Sequence, residues 1–172
     1  MSLEPDTKDW TWVLRERCPE CGLAAGEVAP AEIGLLVRAS LPRWTAALAR
    51  PDASVRRSPQ RWSDLEYACH ARDVFRVFDE RLAQMLATDG AAFANWDQDA
   101  TALEQDYAGQ DPRAVATELT EAGERVAARF DAVTEADHAR RGIRSNGSEF
   151  TVVTLGQYFW HDVHHHLRDV GA

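Results

Sequence analysis

No stretch of the chain approaches the roughly 18 consecutive apolar residues that mark a membrane-spanning helix. The N-terminus, with Glu4, Asp6 and Asp9, has neither the basic nor the apolar part of a signal peptide, so a cytoplasmic protein with no membrane partner is expected. Basic residues are also in short supply. The 19 Lys and Arg stand against 28 Asp and Glu, giving a formal net charge of −9 that repels a phosphate backbone. Arg56-Arg57 and Arg140-Arg141 are too short to make a local basic patch, so nucleic acid is not an expected partner. Cysteine is scarce too: three thiols, an odd number in a reducing compartment, argue against a disulfide framework. Internal repeats and low-complexity tracts are missing as well. At 172 residues the chain is long enough for one well-buried core and short for two domains.

What is present favours helix, because Ala, Leu, Arg and Glu dominate. Residues 1–28 read as an extended N-terminal segment pinned by Trp10 and Trp12, and residues 29–172 as an all-α four-helix bundle. Pro30 and Glu32 open the first helix, with Ile33, Leu36, Val37 and Leu41 on one face. Pro42 should break it near Ser40 or Leu41, leaving a second helical piece through Leu48. Ser63-Asp64-Leu65-Glu66 is a capping box, so helix two starts at about Asp64, and Tyr67, Ala71, Val74, Phe78, Leu82 and Met85 form its apolar stripe. Residues 91–99 read as a long connection. Asp111-Pro112 starts helix three, which runs to about Ala132. Phe150 to Thr154 is an extended lead-in to helix four, whose apolar arc is Leu155, Phe159, Trp160, Val163, Leu167 and Val170.

The chemistry gathers near the C-terminal end, in Trp160-His161-Asp162-Val163-His164-His165-His166. On a helix His161 and His165 stand at i and i+4 on one face, away from the centre of the apolar arc, where two imidazoles can reach one metal ion. A first-row metal needs a third protein ligand. His70, inside helix two, suits that place better than His138, which lies in a polar run. Cys18-Pro19-Glu20-Cys21-Gly22 looks like one knuckle of a zinc ribbon, but a structural site needs two further ligands and no second knuckle follows, so the pair is expected to stand apart from the histidine-held metal. Cys69 is alone. In the connection Asn95-Trp96-Asp97-Gln98-Asp99, Trp96 offers an apolar face and Asp97, or alternatively Asp99, a polar anchor for a small-molecule substrate.

Four amphipathic helices, His70 in the second and H-x-x-x-H in the last together resemble the DinB/YfiT-like superfamily of metal-binding four-helix bundles. The resemblance covers nearly the whole chain and rests on Trp62-Ser63, the His70 stretch, the Asn95 to Asp99 loop, and Tyr158 through His165. It implies His70, His161 and His165 as ligands of a divalent ion, zinc or nickel foremost. Some relatives have a glutamate among the three ligands, and the matching position here holds His161. Similar proteins include mycothiol-dependent maleylpyruvate isomerase and bacillithiol S-transferases, so the resemblance implies an S-transferase or isomerase using a low-molecular-weight thiol. A metal-dependent hydrolase, or a protein that binds a metal or small ligand without turnover, is the alternative. The tryptophan-rich N-terminal segment needs a surface to lie on, which makes a symmetric homodimer an expectation as well.

Overall fold

The computed structural model describes residues 8–172. Residues 1–7, the first part of the expected N-terminal segment with Glu4 and Asp6, lie outside the described residues. Four long helices make the bundle: α1 (Ile33–Leu48), α2 (Asp64–Ala87), α4 (Pro112–Asp131) and α5 (Val152–Asp169). Both α1 and α2 pack against α4, and both pack against α5. A short helix α3 (Gln98–Glu104) lies in the connection between α2 and α4.

The architecture is not purely α. Three short strands, β1 (Ala91–Phe93), β2 (Arg141–Arg144) and β3 (Glu149–Thr151), form a small sheet in the order β1-β2-β3. Ala91 pairs in parallel with Gly142, while Gly142 pairs antiparallel with Phe150. The hairpin turn at Ser145 to Ser148 and the β-branched run at Thr151 are visible in sequence, but β1 is three residues long and becomes a strand only by pairing with β2, a partner some 50 positions away. The sheet has a positioning role. Ser145 donates from its amide to the Phe93 carbonyl at 2.9 Å, and its hydroxyl accepts the Asn95 amide at 2.8 Å, which fixes the loop leading into Trp96.

The helix starts follow side-chain chemistry. Ser63 Oγ accepts the Glu66 amide and Glu66 Oε2 accepts the Ser63 amide, closing the capping box at the head of α2. Asp111 caps α4 ahead of Pro112. At α1 the expectation of a break fails, for the helix runs unbroken through Pro42. The buried face formed by Val37, Leu41, Trp44 and Leu48 holds both halves in line, and Pro42 itself points to solvent. The missing N–H still leaves the Arg38 carbonyl without its intrahelical partner. Pro42→Ala is therefore expected to stabilise the protein by about 2 kcal/mol, helix propensity gained less the unfolded-state freedom restored, as read by urea denaturation.

One buried polar network ties α2 to the α3–α4 connection. The Arg72 guanidinium pairs with Asp73 at 2.9 Å and reaches Glu118 at 2.9 Å and Gln110 at 2.8 Å. Tyr107 completes the network by donating its hydroxyl to Asp73 Oδ2 at 2.6 Å. Among the described residues, no helix is long and apolar enough to cross a membrane.

Candidate metal centre

Helix α5 carries two i, i+4 pairs side by side. His161 and His165 form one, Asp162 and His166 the other, and successive residues on a helix are turned by about 100°. The two pairs therefore look in different directions. The oily side of the helix, with Leu155, Phe159, Val163 and Leu167 buried in the bundle, fixes the rotation, and Thr151 caps its start.

The Asp162 and His166 pair faces α2. His70 Nε2 lies 3.1 Å from Asp162 Oδ1, and His166 Nε2 lies 3.9 Å from the same oxygen. His70, Asp162 and His166 each turn a ligand atom into one group in which all lie within 4.8 Å of one another. His70 is fully buried and sits against aromatic rings: Trp96 stacks on it at 5.4 Å, Trp62 tilts against it at 5.4 Å, and His166 meets it edge-on at 4.8 Å. His166 is aimed by a carboxylate behind it. Its Nδ1–H donates to Asp169 Oδ2 at 2.9 Å, which leaves the lone pair on Nε2, and Arg61 in turn holds Asp169 at 3.0 Å. Burial pushes the Asp162 carboxyl up, but the charge and hydrogen bond of His70 and the charge of His166 outweigh it and hold the group down at about 2. Two imidazoles and one anionic carboxylate suit a divalent first-row ion and leave room for further ligands.

The His161 and His165 pair faces the N-terminal segment instead. There the donor atoms of Cys18, Cys21, His161 and His165 form a second group within 4.8 Å. A tryptophan-led 3₁₀ turn at Trp10–Leu14, in place of the expected extended segment, lays the N-terminal residues over α5, with Val13 fully buried. Gln157 of α5 donates to the Gly26 and Val28 carbonyls at 3.0 and 3.1 Å, securing the far end. Only glycine fits at 26, where a Cβ would lie 2.3 Å from the Leu14 carbonyl oxygen. The surface sought by the tryptophan-rich segment is thus supplied by the same chain.

The three histidines grouped by spacing are divided between these clusters. His161 and His165 come together as the i, i+4 pattern requires, but beside the two cysteines, while His70 meets Asp162 and His166. The division follows from the rotation of α5, since one residue further along the helix is the step that swings a side chain from the N-terminal segment to α2. Spacing alone gives Asp162 and His166 equal standing with His161 and His165, since both pairs stand at i and i+4 and a carboxylate is as able a ligand as an imidazole. Trp96 stacks on His70 as part of the centre, and its Nε1 donates to Thr101 at 2.9 Å. Asp97 is exposed and caps α3, accepting the Asp99 and Ala100 amides at 3.1 and 2.9 Å.

Both groups border a cleft of about 310 Å³ whose walls include Trp10, Tyr67, Tyr158, Asp162 and His166. A second cavity of about 380 Å³ adjoins it, lined by Asn95, Trp96, Asp97 and Arg144, and the two share Lys8, Trp10, Gln98 and Tyr158 as common walls.

Residues 34–169 match the model of the DinB superfamily, and the chain belongs to that superfamily. Among solved structures it is similar to YfiT from Bacillus subtilis, described as a probable metal-dependent hydrolase with an unusual four-helix bundle topology. The match has a TM-score of 0.68 at 20% identity over 83% of this chain and 85% of that one. At that identity the likeness is one of fold. No curated protein gives a significant match.

Proposed function

We propose that this protein is a metal-dependent enzyme that joins a small electrophilic substrate to a low-molecular-weight thiol of the mycothiol type, with the ion held by His70, Asp162 and His166. The observation that carries the reading is the cleft of about 310 Å³ lined by Asp162 and His166, with room for a substrate beside the ion, together with the cavity of about 380 Å³ that adjoins it past Trp10 and Tyr158, with room for the body of a thiol cofactor. A bound divalent ion supplies a Lewis acid that lowers the pKa of a thiol or of water at neutral pH. Everything else falls to the chain. His70 is held rigid between Trp62 and Trp96, Asp162 supplies negative charge, and Asp169 orients His166. Tyr158 and Trp10 divide the two cavities, Trp96 gives the second an apolar wall, and Arg144 gives it a cation for the carboxylates of a thiol cofactor. Asp97 stands at the rim of that second cavity, a polar anchor on the loop that Trp96 leads.

A hydrolase, with water in the place of the thiol, is the second reading, favoured by the described activity of YfiT. The same experiment separates the two. Protein loaded with zinc or nickel is assayed against simple electrophiles and esters, with and without mycothiol. Thiol-dependent product from the loaded protein alone supports transfer, and turnover in water that no thiol accelerates supports hydrolysis. Equal rates with and without metal would remove both. Trp96→Ala is expected to raise KM for the thiol about tenfold, the effect of losing about 1.4 kcal/mol of contact, with metal content measured alongside.

A further inference from the structure

We propose that Cys18, Cys21, His161 and His165 bind a second divalent ion, zinc by donor chemistry, in a closed four-coordinate site that fastens the N-terminal segment to α5. The donors are already assembled. Cys18 Sγ lies 3.7 Å from His165 Nδ1, and all four donor atoms fall within 4.8 Å of one another. Tetrahedral zinc with Zn–S bonds of about 2.3 Å and Zn–N bonds of about 2.0–2.1 Å spaces neighbouring donors roughly 3.4–3.8 Å apart. A second observation points the same way: His161 Nε2 is buried with no hydrogen-bond partner, an arrangement that costs free energy unless something accepts its lone pair.

The backbone is shaped for it. Gly22 takes φ of 77°, its amide donates to the Cys18 carbonyl at 2.8 Å, and the Cys18 amide donates to the Leu23 carbonyl at 2.9 Å, curling the two sulfurs to one side. Glu20 Oε2 lies 3.5 Å from His165 Nε2, an outer carboxylate behind a ligating ring. Two sulfurs and two nitrogens fill four positions, so this site is structural where the His70 centre is open. Binding forms two Zn–S bonds and releases one proton from each thiol to solvent. The fastened segment also holds Trp10 against His161 and His165 at 5.7 and 5.4 Å, and Trp10 is a wall shared by both cavities.

Cobalt(II) substitution tests this site separately from the His70 centre, because only thiolate ligands give an intense near-ultraviolet charge-transfer band. Wild-type protein loaded with cobalt is expected to show that band together with the visible absorption of a tetrahedral ion. His70→Ala should keep the band, and Cys18→Ser/Cys21→Ser should lose it along with one equivalent of metal. Absence of the band from the wild type, or unchanged metal content in the cysteine double variant, would overturn the assignment and leave the His70 reading standing. Should the double variant fail to fold, alkylation of wild-type Cys21 decides. A rate that is slow with zinc and fast after chelation supports the site, and equal rates refute it.

Discussion

His70→Ala is expected to strip the ion from the α2–α5 centre and reduce turnover by more than the roughly 10–100-fold that loss of an outer-shell partner costs. The reason is geometric. Asp162 and His166 project from one helix, and without His70 nothing from α2 completes the group. The aromatic rings that grip the imidazole, Trp62 and Trp96, would be left around a void, so folding should be checked by circular dichroism. Elemental analysis gives the decisive number: one equivalent fewer than wild type, with the cobalt–thiolate band of the other site intact. Asp169→Asn, which spares all three ligands but weakens the hold on His166 and on Arg61, should fall within the 10–100-fold range. His138→Ala, outside both clusters, should change nothing. Full metal content and full activity in His70→Ala would move the centre elsewhere.

The largest loss of stability is expected from Asp73→Ala, about 3–5 kcal/mol by urea denaturation. Arg72 and Asp73 have side chains only 3% and 6% exposed, and Asp73 also accepts the hydroxyl of fully buried Tyr107. Removing the carboxylate strands a buried guanidinium with Glu118 as its remaining charge partner and orphans the phenol at the same time. Metal content should survive wherever the protein folds, because the network lies outside both clusters. Asp73→Asn keeps an acceptor and should cost less. A loss below about 1 kcal/mol for Asp73→Ala, the scale of an exposed ion pair, would show that the network is solvated.

Much of the bundle was legible because its signals are local. The Ser63 to Glu66 box, the Asp111-Pro112 start and the apolar arc of α5 each lie within a few residues and depend on nothing distant. β1 and α3 were harder, since Ala91 to Phe93 has no period of its own and α3 is a single capped stretch of seven residues. Pro42 misled in the other direction, because tertiary packing overrides a local breaker when one face of the helix is fully buried. At the candidate site the sequence points to residues 161–166 of α5 and to His70, and the structure brings side chains of both into donor clusters. It does not say which way each side chain turns. That depends on the rotation of α5 against α2 and the N-terminal segment, and a step of one residue moves a ligand from one cluster to the other. Cys18 and Cys21 looked incomplete because their two companions lie at the opposite end of the chain.

That separation bears on how the protein is made. Cys18 and His165 are 147 residues apart, so the knuckle can settle onto α5 only after almost everything else has been synthesised. At ordinary translation rates of about 5–20 residues per second, the two cysteines wait on the order of ten seconds or more for their partners. Throughout that interval the thiols are nascent-chain groups, open to stray metal or oxidant, and Trp10 and Val13 have no surface to cover. The fourth bundle helix is therefore the one that closes this bundle, and a ribosome stalled before α5 would display a bundle lacking one wall, with no α5 surface for Trp10 and Val13 to cover.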